Sequence, residues 1–373
     1  MRAIVALFLT PGVLVAGAQT FDLSFSGVAP LPRYDPAIGA GFEPGAPGRF
    51  SVRVPEGNYR ITLHGETGDT RVFAEQRRLV GRGRQHFVVN VRTPDLGGLP
   101  ANAPGGTQVR LKPREIGAAN WDDRLTLEFE PATALPARID IEPVDLPTLY
   151  LAGDSTVTDQ PMAPNASWGQ RLPALFDDGL AIANHAESGE TLKSFVTEQR
   201  FDKLLSRARA GDWVMIQFAH NDQKTQWPQT YVEAATTYRA WLHTYVAEIR
   251  RRGTTPLFVT SPERRNFDAA GRIVATLGDY PAAMRAVARE DGVALIDLEA
   301  MSRRVYEALG PDEAPRAFAD GGKDRTHFNE LGADLLARCI ATGLRDADPA
   351  LTAGLEKHLV ATTRFDPDHP EPR

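Results

Sequence analysis

Leu149-Tyr150-Leu151-Ala152-Gly153-Asp154-Ser155-Thr156 decides how this chain reads. An apolar run ends on a glycine and is followed at once by Asp-Ser, so a strand delivers a serine onto a tight turn, which is how a nucleophile is presented. Downstream of this stretch, short apolar runs alternate with amphipathic helical patterns; Val214 to Phe218, Pro256 to Val259 and Val293 to Ile296 are the clearest strands. Such alternation predicts an α/β domain, with a parallel sheet covered by helices on both faces. The spacing predicts a long helix from about Tyr231 to Arg252, with Tyr231, Ala234, Ala235, Tyr238, Leu242, Tyr245 and Ile249 on its inner stripe.

Upstream, from Phe21 to about Pro147, the pattern has period two. Phe50 to Val54, Tyr59 to Leu63, Phe87 to Val91 and Arg124 to Phe129 alternate between apolar and polar residues and are separated by Gly and Pro. This predicts an antiparallel β-sandwich. Pro55-Glu56-Gly57-Asn58, lying between two such runs, reads as a hairpin turn, and the Gly/Pro-rich stretch from Pro94 to Gly106 reads as a long surface loop.

The ends of the chain add two further segments. Met1, Arg2, an apolar stretch to Val15 and then Ala16-Gly17-Ala18 form the pattern of a secretory leader. The apolar part is too short to span a bilayer, so no membrane anchor is expected after cleavage. The expected organisation is therefore a leader at 1–18, a sandwich at 19–147, an α/β domain at 148–345 and a tail at 346–373, placing the protein in the periplasm or outside the cell. The single cysteine, Cys339, excludes an intrachain disulfide, and its apolar neighbours at helical spacing predict a buried, inert thiol. Lysine plus arginine total 42 against 48 acids, with both signs scattered and no basic block, so nucleic acid is an unexpected partner.

Three more stretches carry chemistry: Asn184-His185-Ala186 with Gly189, Phe218-Ala219-His220-Asn221-Asp222, and Asp324-Arg325-Thr326-His327-Phe328-Asn329. Open α/β sheets gather ligands beyond the carboxyl ends of their strands, and Ser155, Gly189 and Asn221 all follow predicted strand ends. In Asp324 to His327 a three-residue offset on one loop lets a carboxylate reach the far nitrogen of the imidazole and fix its tautomer, leaving the other nitrogen to act as a base for Ser155. The same spacing also reads as a metal half-site, but no further His/Asp cluster with ligand spacing accompanies it, so a base for Ser155 is the favoured reading. The backbone N–H of Ser155 at a helix start, the backbone N–H of Gly189 and the Asn221 amide supply three donors for a developing oxyanion. Taken singly, Ser155 and Asn221 also read as cap or turn residues and Gly189 as a turn glycine. His185 and His220 read as supporting histidines, while Asp154 and Asp222 read as acceptors for backbone N–H groups of their own turns.

These four blocks resemble those of the SGNH, or GDSL-like, hydrolases, and more narrowly rhamnogalacturonan acetylesterases and related pectin or xylan deacetylases. The resemblance covers about Leu149 to Arg345 and implies a flavodoxin-like three-layer α/β/α domain. It implies Ser155 as nucleophile, His327 as general base then acid, Asp324 as its orienter, and Ser155 N–H, Gly189 N–H and Asn221 as the oxyanion hole, with neither metal nor organic cofactor. The front domain is similar to galactose-binding-like sandwiches. Two departures stand out: Ala219 occupies a position where the family usually has Gly, and Glu190-Thr191 follows Gly189 where Arg-Ser is common, altering the charge beside the oxyanion loop.

The function implied is removal of O-acetyl groups from plant cell-wall polysaccharide, foremost rhamnogalacturonan or pectin, through an acetyl-serine intermediate. Xylan deacetylases, lipases and thioesterases share the motifs. A lipase needs an apolar groove, whereas Thr158, Gln160, Lys193, Gln223, Lys224, Lys323 and Arg325 make the neighbouring loops polar. A non-catalytic polysaccharide-binding protein is the reading from a different class.

Overall fold

The structure is a computed structural model and describes residues 17–23, 33–360 and 364–370. The leader reading thus falls almost wholly outside the described residues. Among those described, no helix is long and apolar enough to cross a membrane. The chain divides into two compact units. One contains the described residues up to Glu75, with Val80–Thr93 and Ala119–Asp145; the other contains Gln76–Leu79, Pro94–Ala118 and the chain from Leu146 onward.

The first unit holds nine strands, β6 with all but its first two residues: β1 (Gln19–Asp22), β2 (Ala40–Phe42), β3 (Arg49–Arg53), β4 (Gly57–His64), β5 (Arg71–Ala74), β6 (Arg78–Arg82), β7 (His86–Val91), β8 (Arg124–Glu130) and β9 (Arg138–Pro143). They form two sheets, ordered β1-β9-β4-β7 and β2-β3-β8-β5-β6, in which β1 with β9, β4 with β7 and β9, β3 with β2 and β8, and β5 with β8 all pair antiparallel. Phe50 and Val52 from one sheet share a core with Ile61, Leu63, Phe87 and Val89 from the other, as alternating inward residues should. The hairpin expected at Pro55 to Asn58 does not form. β3 pairs with β2 and β8, and β4 pairs with β7 and β9, so this turn carries the chain from one sheet to the other. Turn residues report where a chain reverses; the free edge it then meets decides its partner, and both edges of β3 are already taken.

The second unit has a parallel sheet of β10 (Thr148–Gly153), β11 (Ala181–Asn184), β12 (Trp213–Gln217), β13 (Thr255–Val259) and β14 (Ala294–Ile296). Its order is β11-β10-β12-β13-β14, with every pair parallel. This is the flavodoxin-like order expected from the motif resemblance. All six residues of β10 are buried, which explains its continuous apolar run. Alternate residues face two cores: Leu149, Leu151, Met215 and Leu257 enter one, and Tyr150, Ala152, Val214 and Phe258 enter the other. The chain leaves β10 for β11 on one side and reaches β12 on the other. That reversal opens a crevice at the carboxyl end of β10, where Ser155 follows.

The long helix starts later than its spacing suggests. A π-helical turn at Ala234–Tyr238 leads into an α-helix at Arg239–Arg250. The wider turn shifts the register, so Tyr238, Leu242, Tyr245 and Ile249 are buried as expected while Ala235 faces solvent. Cys339 is fully buried in the helix Glu330–Asp346, and burial pushes its thiol well above the ordinary range.

Candidate active site

Beyond β10 the chain makes a single turn and no helix follows directly. Val157 and Thr158 N–H both donate to Asp154 O at 3.0 Å, and the next helix is Trp168–Arg171. The expected helix start at Ser155 is replaced by a turn built around a side chain, because Asp154 Oδ1 accepts from Thr156 N at 3.0 Å and from Thr156 Oγ1 at 2.8 Å. Gln160 Nε2 donates to Ser155 O at 2.7 Å, and Thr158 Oγ1 donates to Ala186 O at 2.9 Å. Both side chains are buried and committed inward, so they contribute no polarity to the cleft mouth.

Buried amides tie the motif segments together. Asn184 Nδ2 donates to Val157 O at 2.7 Å, Trp168 Nε1 donates to Gln217 Oε1 at 2.8 Å, and Gln217 Nε2 donates to Thr156 Oγ1 at 2.8 Å. Each amide links the serine turn to a neighbouring strand end, which rigidifies it.

His327 meets this turn. Its Nε2 lies 3.0 Å from Ser155 Oγ, and its Nδ1 lies 2.8 Å from Asp324 Oδ2. The other Asp324 oxygen accepts from Thr326 N at 2.6 Å and His327 N at 2.8 Å. Burial raises the Asp324 pKa, but these backbone N–H groups and the ring outweigh it and hold the carboxyl below its ordinary range. An ionised carboxylate only accepts, so Nδ1 carries the ring proton and Nε2 is left to accept from the serine hydroxyl. The loop is fixed from outside by Arg265, whose Nη2 donates to Gly322 O at 2.5 Å and whose guanidinium lies over the Phe318 ring. Asn329 caps the following helix, its Oδ1 accepting from Gly332 N at 3.2 Å.

A second turn, Glu187 to Glu190, lies just beyond the end of β11. It is anchored on β10 by Glu187 N–H donating to Gly153 O at 3.1 Å, and Gly189 adopts φ +85° there, a left-handed value that suits glycine. Asn221 Nδ2 donates to Glu190 O at 3.0 Å, and its Oδ1 accepts from Lys224 Nζ at 2.7 Å. The amide therefore keeps one N–H outside these two bonds. Among the described residues, neither Ser155 N–H nor Gly189 N–H donates within the protein. The chain thus brings Ser155, His327 and Asp324 together by direct hydrogen bonds, and ties the Gly189 turn to β10 through Glu187 and to Asn221 through Glu190 O.

Of the neighbouring residues, His220 and Asp154 take the supporting roles expected of them, whereas Asp222 and Glu190 depart from their sequence reading. His220 donates from Nε2 to Pro262 O at 2.9 Å, with Nδ1 3.5 Å from the fully buried Asp154. Burial opposes ionisation of Asp154, yet His220 and the Thr156 groups hold its pKa low. Asp222 serves another loop as well as its own: Oδ1 accepts from Leu192 N at 3.0 Å while Oδ2 has no partner among the described residues. Burial, reinforced by Asp154 and Glu190, pushes the Asp222 carboxyl up to about 8. Glu190, expected to alter charge beside the oxyanion loop, is fully buried and ion-paired with Lys112, so its charge is neutralised internally.

The GDSL-like Lipase/Acylhydrolase family matches residues 151–335, which hold all four motif blocks. The rhamnogalacturonan acetylesterase RhgT of Bacillus subtilis strain 168 is 42% identical over 226 residues, covering 57% of this chain and 94% of that protein. The chain belongs to the GDSL-like lipase/acylhydrolase family. As a member of this GDSL-like family it is a carboxylic ester hydrolase. The probable rhamnogalacturonan acetylesterase YesY, from the same strain, is 34% identical and matches over 97% of its length. The crystal structure of Bacillus subtilis YxiM has a TM-score of 0.52 at 22% identity over 88% of each chain, a likeness of fold.

Proposed function

We propose that this GDSL-like hydrolase is an exported carbohydrate esterase that removes O-acetyl groups from rhamnogalacturonan. The observation that carries this reading is the Ser155–His327–Asp324 relay, with contacts of 3.0 Å and 2.8 Å, in a chain 42% identical to a rhamnogalacturonan acetylesterase over nearly all of that protein.

Ser155 Oγ attacks the acetyl carbonyl while its proton passes to His327 Nε2. The tetrahedral oxyanion is held by Ser155 N–H, Gly189 N–H and the Asn221 amide, in a site where fixed dipoles need no reorganisation. Collapse expels the sugar oxygen, which takes the proton from His327. Water, deprotonated by the same nitrogen, then attacks the acetyl-serine; acetate leaves and Ser155 recovers its proton. Asp324 stays ionised throughout and stabilises the imidazolium in each half-reaction.

Cations on the site's own segments support a substrate bearing carboxylates. Lys224 is bonded to Asn221, Arg264 Nη2 donates to His220 O at 3.4 Å, and Lys323 and Arg325 flank Asp324 on the exposed loop. Trp227, 43% exposed, presents its ring beneath the Lys224 ammonium and suits an apolar sugar face.

Ser155→Ala tests the chemistry: it should lower hydrolysis of 4-nitrophenyl acetate by about 10³-fold or more while leaving the melting temperature within a few degrees. A mutant with most of its activity intact would remove the serine from the mechanism. Acetate release from acetylated rhamnogalacturonan, acetylated xylan and a long-chain ester tests the substrate. Preference for xylan or the long chain would redirect the assignment within the family.

A further inference from the structure

The turn that carries Gly189 is held by residues that none of the four motifs includes. Lys112 and Arg114 come from the stretch Pro94–Ala118, which belongs to the same compact unit as the site. Both place a cationic N–H on one atom, the carbonyl oxygen of Ser188: Lys112 Nζ donates at 2.8 Å and Arg114 Nη2 at 2.6 Å. That oxygen belongs to the peptide unit whose nitrogen is Gly189 N. In a trans peptide the C=O and N–H point in opposite directions, so cations gathered on the oxygen fix the N–H on the far side.

The two cations are themselves secured by the residues that bracket this peptide. Arg114 pairs with Glu187 and Lys112 pairs with Glu190. Glu190 is fully buried and its second oxygen accepts from Ser194 Oγ at 2.6 Å. Behind it lies the Arg200 guanidinium, also fully buried, which grips Glu115 with two bonds of 2.9 Å and 2.6 Å. Glu115 in turn accepts from Lys112 N at 2.8 Å, so the backbone that presents the lysine is anchored to the same cluster.

Gly189 explains why such a clamp is needed. Glycine populates both signs of φ, so the Ser188–Gly189 peptide meets little local resistance to inverting. Inversion would turn a carbonyl oxygen toward the space where an oxyanion must form, replacing attraction with repulsion. Two positive charges on Ser188 O select one orientation. They also polarise the peptide, and hydrogen bonds in series strengthen one another by about 10–30% each.

We propose that Lys112 and Arg114 are positioning residues for ester hydrolysis, holding the Ser188–Gly189 peptide so that its N–H donates to the oxyanion. This rests on the reading of Gly189 as an oxyanion donor. Neither side chain touches the substrate; both act through the peptide between them and it.

Two variants test the clamp. Arg114→Met is made together with Glu187→Gln, because Glu187 is buried and loses its ion partner with the arginine. Lys112→Met is made together with Glu190→Gln, so that no unpaired carboxylate is left buried. With 4-nitrophenyl acetate, each should lower kcat about 10-fold and the combined variant about 10²-fold, with KM changed by no more than about threefold, since losing an oxyanion donor outright costs about 10²–10³-fold. Binding of methylboronic acid, which forms a tetrahedral adduct on serine, should weaken by the same factor as kcat/KM, and Arg114→Lys should restore most of both. Ser155→Ala is assayed alongside. Wild-type kcat in the clamp variants beside an inactive Ser155→Ala overturns the clamp and leaves the serine mechanism standing. A fall in kcat without weaker boronate binding, or one that tracks only a lowered melting temperature, also overturns it. An active Ser155→Ala overturns the mechanism itself and the clamp with it.

Discussion

Asp324 and His327 sit three residues apart on one loop, and a single carboxylate serves that loop's backbone and the imidazole together. Gly189 and Asn221 lie on different strand ends and are joined through Glu190 O, in a turn held by a cluster that includes Lys112, Arg114 and Glu115 from more than seventy residues earlier. The imidazole side of the cleft is thus assembled by local geometry and the donor side by buried long-range charge. The lesson is one of tolerance: a local device survives distant change, whereas a charge cluster shares every member's loss.

Three substitutions would break or sharpen this contrast. Asp324→Asn has the largest expected effect, lowering kcat by about 10³–10⁴-fold through loss of the correct tautomer. Because the loop is short and partly exposed, its melting temperature should move little; steady-state kinetics alongside thermal unfolding check both. Arg200→Met strikes the donor side. Removing a fully buried guanidinium leaves Glu115 and Glu190 short of a partner, and denaturant unfolding should report a loss of about 3–5 kcal/mol. A cost under about 1 kcal/mol would mean the cluster does not support that side.

The smallest effect lies in the pH dependence of stability, and here the two sides have opposite signs. The Asp324 pKa is depressed in the folded state, so its contribution is present above the unfolded carboxyl pKa and is lost as pH falls through the folded value. Asp222 is raised to about 8, so the native state keeps a proton that the unfolded chain releases near pH 4, and stability declines as pH rises between those values. Asp222→Asn should flatten that decline, by no more than about 1.4 kcal/mol per pH unit, whereas Asp324→Asn should flatten the acid limb. Unfolding curves at a series of pH values distinguish the two; matching changes in both variants would contradict the opposed shifts.

The imidazole side was legible because its parts are neighbours in sequence: Asp324, His327 and the cap Asn329 stand within six residues of one another. The sheet was legible for a related reason, since a buried parallel strand such as β10 must be continuously apolar and an inner sandwich strand such as β4 must alternate. Sheet partnership was not legible, because the turn at Pro55 to Asn58 carries the same residues whether it closes a hairpin or crosses between sheets. Nor was the burial of Glu190 or the role of Lys112 and Arg114. An isolated charge in a polar stretch looks the same whether it meets solvent or a carbonyl seventy residues away; the run Lys112-Pro113-Arg114-Glu115 offered density of charge but no periodicity to place it. The expected helix at Ser155 failed for a local reason, since Asp154 satisfies the turn's own N–H groups and removes the need for one.

Ser155 and His327 are 172 residues apart in the chain, yet share one hydrogen bond. A polypeptide that has formed its early strands but has not yet docked the helix Glu330–Asp346 and the loop before it possesses the hydroxyl and lacks the base. Ester turnover is therefore a late-appearing signal during refolding, and nicking anywhere that lets the two ends drift apart should silence the enzyme before its spectroscopic structure is lost.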